Sequence, residues 1–265
     1  MRFRITFNRT TKQRMLPMDY QYYISAWIYK VLKLADCDFA HFLHEQGYGT
    51  SPTKLYKLFC YSQLNFGKPK LWKDRKLFEI ESTQLTLDVS FDVTDAASNF
   101  IKGLFMAQEF YLGNKFNGID LQVTGVEALA EPVFTETMHY KLKTPWVVSY
   151  QAGEDKNAQY LKPEDALFNE LSIKHLTEKY RNTREKSISE TEIKFMPDET
   201  YKRAGFLIKP ETPQETRIVG NLFNFTLIAP IEIHQMIWNA GVSEKSSSGF
   251  GWVEIDTQPV NVRRT

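Results

Sequence analysis

The sequence predicts an α+β protein of two tandem ferredoxin-like (RRM-like, βαββαβ) domains. Three observations predict it. The chain opens on Arg2-Phe3-Arg4-Ile5-Thr6-Phe7, where basic or polar residues alternate with apolar ones, the period-two mark of a half-buried strand. Helical spacing then recurs between strand-like runs instead of in one block. The second half repeats the first half's order of elements, less cleanly.

The first strand is followed by Ile24, Trp27, Ile28, Val31 and Leu32, whose spacing predicts an amphipathic helix from Asp19 to Leu34. A short helix comes next, capped by Asp36 or Asp38, with Phe39, Phe42 and Leu43 as its apolar face and Gly47 as its stop. Leu55 to Leu64 and Leu77 to Val93 read as strands, Asp95 to Phe110 as a helix, and Ile119 to Val126 as a strand. That order is the split-βαβ pattern. Thr137 to Tyr150 then reads as a strand with a bend at Pro145, Gln151 to Lys156 as a loop, and Pro163 to Arg181 as a helix with proline at its start. Glu190 to Phe195, Tyr201 to Ile208 and Arg217 to Ile228 read as strands. Pro230 starts a helix that Gly241 ends, and Trp252 to Ile255 closes the second sheet. With the boundary near Glu127 to Glu136, the expected domains are residues 1–130 and 131–265.

A length of 265 residues suits one large domain or two modest ones. At 42% hydrophobic and 25% charged, the chain can bury a core and is not a disordered tail. Cys37 and Cys60 are the only cysteines, which excludes a disulfide scaffold or a cysteine-rich zinc site and fits a reducing cytoplasm. No apolar run approaches the roughly 18 residues of a membrane helix, and no signal peptide precedes the first strand. A cytoplasmic protein without a membrane partner is expected.

A formal net charge of +1 hides a segregation. Residues 1–76 carry 14 Lys or Arg against five acids, whereas residues 77–136 carry ten acids against Lys102 and Lys115. A further basic stretch holds Lys174, Lys179, Arg181, Arg184 and Lys186. Such patches could face a polyanion on one side or simply be solvated surface.

Gly241-Val-Ser-Glu-Lys-Ser-Ser-Ser-Gly249-Phe-Gly251-Trp is the most distinctive local signal. Glycine lets backbone N–H groups approach a ligand, and Lys245 and Ser246 add donors suited to phosphate oxygens. It is not a Walker A loop, and it follows a helix where a dinucleotide fingerprint would follow a strand. The plain alternative is a connector with a capping glycine. His41 and His44 share a helix face, but no third ligand at suitable spacing supports a metal site. His44 in the last helical turn could donate a proton. Tyr29 lies about 100° around the helix from Ile28, off the main apolar stripe.

Four passages, in order, carry a family resemblance: Gln21-Tyr22-Tyr23-Ile24 running into Trp27-Ile28-Tyr29-Lys30, Phe42-Leu43-His44-Glu45 with Gly47, Lys57-Leu58-Phe59-Cys60-Tyr61-Ser62, and the glycine loop with Trp252-Val253. Together they resemble the CRISPR-associated endoribonucleases that cut precursor CRISPR RNA within its repeats, the sixth numbered Cas family. The resemblance implies a catalytic tyrosine, histidine and lysine at Tyr29, His44 and Lys57, with Lys54 near the last of these. It implies RNA binding by the glycine loop (Gly241, Lys245, Ser246, Gly249, Gly251), and the basic stretch adds Lys174, Arg181 and Arg184. Ser243 departs from the family's loop, where a second early glycine often stands.

The implied reaction needs no cofactor and no metal, because RNA carries its own nucleophile. One group takes the 2′-OH proton, another protonates the leaving 5′ oxygen, and a cation offsets the charge on the phosphorane. Products are a 2′,3′-cyclic phosphate and a 5′-OH. The residues leave open which of His44 and Tyr29 is base and which acid. Implied partners are repeat RNA within precursor CRISPR RNA and a CRISPR effector complex, the protein acting as monomer or homodimer. A non-catalytic RNA-binding protein of the same fold is the alternative, and an unrelated module on ferredoxin-like domains a third.

Overall fold

The computed structural model describes residues 1–51, 54–151, 158–184 and 186–256. In the first half, β1 (Arg2–Arg9) leads to α1 (Tyr20–Ala35), α2 (Cys37–His41) and a π-helical turn, Phe42–Gln46. The hairpin β2 (Tyr48–Ser51) and β3 (Lys54–Tyr56) follows, then β4 (Phe59–Tyr61), β5 (Gln84–Phe91), α3 (Thr94–Met106), β6 (Glu109–Gly113) and β7 (Gly118–Leu129). The sheet runs β4-β5-β1-β7-β6, antiparallel throughout. Without β6 this is the ferredoxin-like strand order.

The second half supplies β8 (Thr137–Leu142), α4 (Ala166–Arg184), β9 (Lys194–Pro197), β10 (Lys202–Ile208), β11 (Thr216–Leu222), β12 (Asn224–Ile228), α5 (Ile231–Ala240) and β13 (Val253–Ile255). Its sheet runs β9-β12-β8-β13, the same ladder again, while β10 and β11 pair as an inserted hairpin. The fold is thus two ferredoxin-like domains.

Each sheet buries one face against helices. Ile5 and Phe7 of β1 pack on Ile24, Trp27, Ile28 and Val31 of α1, and the Trp27 ring stacks on Phe110 at 4.5 Å. Trp146, Phe168, Phe195 and Phe225 centre the second core. The seam between the halves is built as closely. Arg2 is 4% exposed, sandwiched between the rings of Trp238 and Trp252 at 3.3 and 3.9 Å, and its guanidinium donates to the carbonyls of Trp238 and Val253. Burial lowers its pKa to about 9. Alternation expected Arg2 on the solvent side; two indole faces and three carbonyl contacts make its burial tolerable.

Several element boundaries differ from expectation. The helix opened near Asp95 stops at Met106, and Glu109–Gly113 is an edge strand paired to β7. The run Leu55 to Leu64 divides at Leu58, whose φ is +52°, and Leu77 to Val93 divides so that Leu77–Glu79 joins a separate small sheet. Thr137 to Tyr150 also divides, as does Arg217 to Ile228 at Phe223. Glu190–Glu192 is a 3-10 turn, because Ser189 and Glu192 form a capping box there. The helix expected from Pro163 spans Ala166–Arg184. Beyond Gln151, the loop expected to Lys156 lies outside the described residues.

Candidate active site

Three elements converge at one edge of the first domain. Tyr29 sits on α1, three residues before the buried Leu32. Asp36 ends α1 in an extended conformation, and its carboxylate accepts the Phe39 N–H, so the chain turns straight into α2. The π-helical turn then presents His44, which lies against the Tyr29 ring edge-on, with centroids 5.0 Å apart. The other side of Tyr29 meets Phe59 of β4 at 5.5 Å.

Gly47 closes this turn at φ +76°, its N–H donating to the Phe42 carbonyl. A side chain there would collide with the Tyr56 carbonyl at 2.7 Å and press on the Lys57 chain at 3.0 Å. The space left open is the space Lys57 uses: its Nζ donates to the His44 carbonyl at 2.7 Å. Burial lowers the Lys57 pKa, and Glu45 opposes the shift. Tyr29, His44 and Lys57 are therefore brought together.

Two neighbours were not singled out from the sequence. Glu45 accepts from His44 Nδ1 at 2.7 Å, and that contact holds its own carboxyl below the usual range. Ser247 of the glycine loop is hydrogen-bonded to Tyr29, whose hydroxyl burial pushes up to about 12. The Ser247 carbonyl also accepts from Ser25 Oγ at 2.9 Å, which fixes the loop on α1. Glu45's place next to His44 is a signal the sequence holds, whereas no sequence pattern signals a contact 218 positions away. Beside His44, a cavity of about 300 Å³ is lined by Tyr29, Lys30, Lys33, Cys37 and His41.

The glycine loop differs most from its sequence reading. Gly241, Gly249 and Gly251 are buried, with φ of +70°, +86° and +78°. Their N–H groups donate to the carbonyls of Ile237, Ser246 and Pro145, so none of the three is aimed at a ligand. A Cβ on Gly249 would lie 2.5 Å from the Tyr61 ring, and one on Gly241 would lie 2.9 Å from Cys60 Sγ. The glycines let the loop press against β4. Ser246 is buried as well, donating to the Ser243 carbonyl, while Ser243 Oγ accepts from Val147 N–H. Phe250 stacks on Phe206 at 4.1 Å. Of the loop's expected ligand groups, Lys245 alone is exposed.

In the basic stretch, Lys174 and Arg181 are exposed. Arg184 is ion-paired to the buried Asp92, and Lys179 is 2% exposed, donating to the carbonyls of Ala240 and Gly241 at 2.9 Å. Arg184 thus braces the seam and Lys179 ties α4 to the end of α5, so both charges are used inside the protein.

Comparison with known proteins adds the following. A family model described as CRISPR-associated protein Cas6, N-terminal, matches residues 15–121, and one described as CRISPR associated protein Cas6, C-terminal, matches residues 129–255. Comparison with curated protein sequences gives no match. Among solved structures, one described as a Cas6-related gene product from Pyrococcus furiosus superposes with a TM-score of 0.82 at 20% identity, over 98% of this chain and 99% of that one. A structure described as an RAMP protein binding different RNA substrates gives 0.80 at 20% identity, over 97% and 99%. A third, described as CRISPR associated protein Cas6, gives 0.72 at 20% identity, over 97% and 99%. No helix among the described residues is long and apolar enough to cross a membrane.

Proposed function

The chain belongs to the Cas6 family of CRISPR-associated proteins, and from that membership and the site's geometry we propose that it is a metal-independent endoribonuclease cutting precursor CRISPR RNA within its repeats. One observation carries the reading: Tyr29 on α1, His44 on the π-helical turn and Lys57 on the link between β3 and β4 meet at one place.

The chemistry follows from their environments. Burial keeps the Tyr29 hydroxyl protonated at neutral pH, so it acts as a donor. His44 is open to solvent, and in its neutral form the imidazole can take the 2′-OH proton. The 2′ oxygen attacks phosphorus, the bond to the 5′ oxygen breaks, and that oxygen takes a proton from Tyr29. A 2′,3′-cyclic phosphate and a 5′-OH result, and no water is consumed. Lys57, tethered to the His44 carbonyl, supplies the cation that offsets charge on the phosphorane. Glu45 orients the imidazole from its far nitrogen. Repeat RNA is the partner this reading requires, and one of the similar solved structures is described as a protein that binds different RNA substrates.

The test is a repeat RNA carrying 2′-deoxyribose at the cleaved position, compared with unmodified RNA in chelator. The expected outcome is that the deoxy RNA binds and resists cutting, while unmodified RNA is cut normally without divalent metal. Cutting of the deoxy RNA, or activity lost in chelator and restored by magnesium, would sink the proposal.

A further inference from the structure

Behind the β2–β3 hairpin lies a second cavity, of about 430 Å³, within the size range of small-ligand sites. Tyr56 and His175 stand in its wall with ring centroids 5.9 Å apart, and the exposed Lys174 and Lys245 stand at its edge. Glu178 and Glu244 also line it. Glu244 accepts from Ser149 Oγ through Oε1 at 2.7 Å, which fixes the carboxylate in place.

These groups have a joint meaning. An aromatic ring beside a cavity of this size offers a stacking surface to any base. Two lysines suit a phosphate. A fixed carboxylate accepts hydrogen bonds and donates none, so facing a base's exocyclic edge it favours an amino group, such as cytosine N4, over the O4 acceptor that uracil shows there. The position matters too. Tyr56 immediately precedes Lys57, and Lys245 stands two residues before Ser247, the partner of Tyr29. Two residues of chain reach about 7 Å at most, so cavity and catalytic centre lie within one or two nucleotides of each other.

We propose that this cavity is a nucleoside subsite taking one unpaired, amino-bearing nucleotide next to the cut bond, its base on Tyr56, its amino group at Glu244 and its phosphate at Lys174 and Lys245. The subsite rests on the endoribonuclease reading for its substrate, and it adds a base preference that the catalytic residues do not supply.

The test is a series of repeat RNAs, each with one abasic position within three nucleotides of the cut, measured for affinity and for kcat/KM with wild type and with Tyr56→Ala and Tyr56→Phe. One abasic position should cost wild type about tenfold in affinity. Tyr56→Ala should lose the same factor on intact RNA and be indifferent to that abasic site, whereas Tyr56→Phe should behave as wild type. Uracil at that position should bind wild type about fivefold more weakly than cytosine, and Glu244→Gln should narrow the gap. An abasic series in which no position costs wild type affinity, or in which Tyr56→Ala stays as sensitive as wild type, would overturn the subsite. Because the affinity arm needs no turnover, RNA that binds with this pattern and is never cut would sink the endoribonuclease reading and leave the subsite standing.

Discussion

His44 touches three different groups in three different ways, and this separates its role in chemistry from any role in holding RNA. Its ring meets Tyr29, its Nδ1 meets Glu45, and its backbone carbonyl receives Lys57. The imidazole itself is open, so shortening it leaves the lysine tether and the turn intact. His44→Ala is expected to lower the cleavage rate by about 10²-fold or more, with repeat affinity little changed. Single-turnover rates and a binding titration on one preparation check this, and normal cleavage would remove His44 from the mechanism. Gly249 makes the opposite kind of prediction. At φ +86° with the Tyr61 ring 2.5 Å from its missing Cβ, Gly249→Val should destabilise folding by about 1–3 kcal/mol. At about 2–4 °C per kcal/mol, the melting temperature shows it before any RNA is added. An unshifted melt would return this glycine to the role of a ligand-facing residue. Tyr29, His44 and Lys57 were expected at this site from the family resemblance of the passages that hold them, and the structure places them side by side. The use of the glycines was not legible in the sequence, because a positive φ looks the same whether the freed space is filled by phosphate or by Tyr61.

Helices and central strands were legible where one apolar stripe dominates: α1, α5 and β1 stand within a residue or two of their expected ends. Boundaries failed where apolar runs cross a break. Phe105 and Met106 are 70% and 65% exposed at the end of α3, so their apolar character carried the expected helix past its true stop. Leu58 sits at positive φ between two strands that composition reads as one. Pairing decides such cases, and pairing is set by distant residues. The same distance hides how α5 ends. Its last carbonyls, on Ala240 and Gly241, accept from the buried ammonium of Lys179, which comes from α4. Lys179→Met (K179M) keeps the volume and strands those acceptors, at about 1–3 kcal/mol. The pH dependence distinguishes this from a packing effect. Burial lowers the Lys179 pKa to about 8 from 10.5, so between those values the unfolded chain binds more protons than the native one. Stability from this group is therefore gained as pH rises above 8 and is lost as pH falls through it. In urea titrations at pH 7 to 10, the gap between wild type and K179M should widen with pH. Burial holds the Cys60 thiol up to about 12, so it stays protonated in both native proteins over this range, and Arg2 is common to both. A constant gap would mean that Lys179 is neutral or unshifted.

Over the whole molecule, the two halves share one tightly packed seam, and this changes what the basic surface can do. Arg2, Lys179 and Arg184 carry charge that a sequence count assigns to the outside, yet indole faces, helix-end carbonyls and Asp92 consume it. Lys174, Arg181 and Lys245 remain exposed, on α4 and the loop beside the β2–β3 hairpin. On the endoribonuclease reading, RNA affinity should fall with salt, and each lysine that neutralises a phosphate contributes about 0.7 to the slope of log affinity against log salt for a single strand. Lys245→Ala is thus expected to flatten the slope by roughly that amount while leaving the melting temperature alone. Arg184→Ala should do the reverse. Its guanidinium is held by an Asp92 side chain only 5% exposed, so its loss leaves a buried carboxyl without its ion pair and lowers the melting temperature, with the salt slope unchanged. Affinity titrations at four or more salt concentrations, alongside thermal melts, separate the two variants. If Arg184→Ala flattens the slope as Lys245→Ala does, Arg184 leaves Asp92 to meet RNA, and the seam opens when substrate binds.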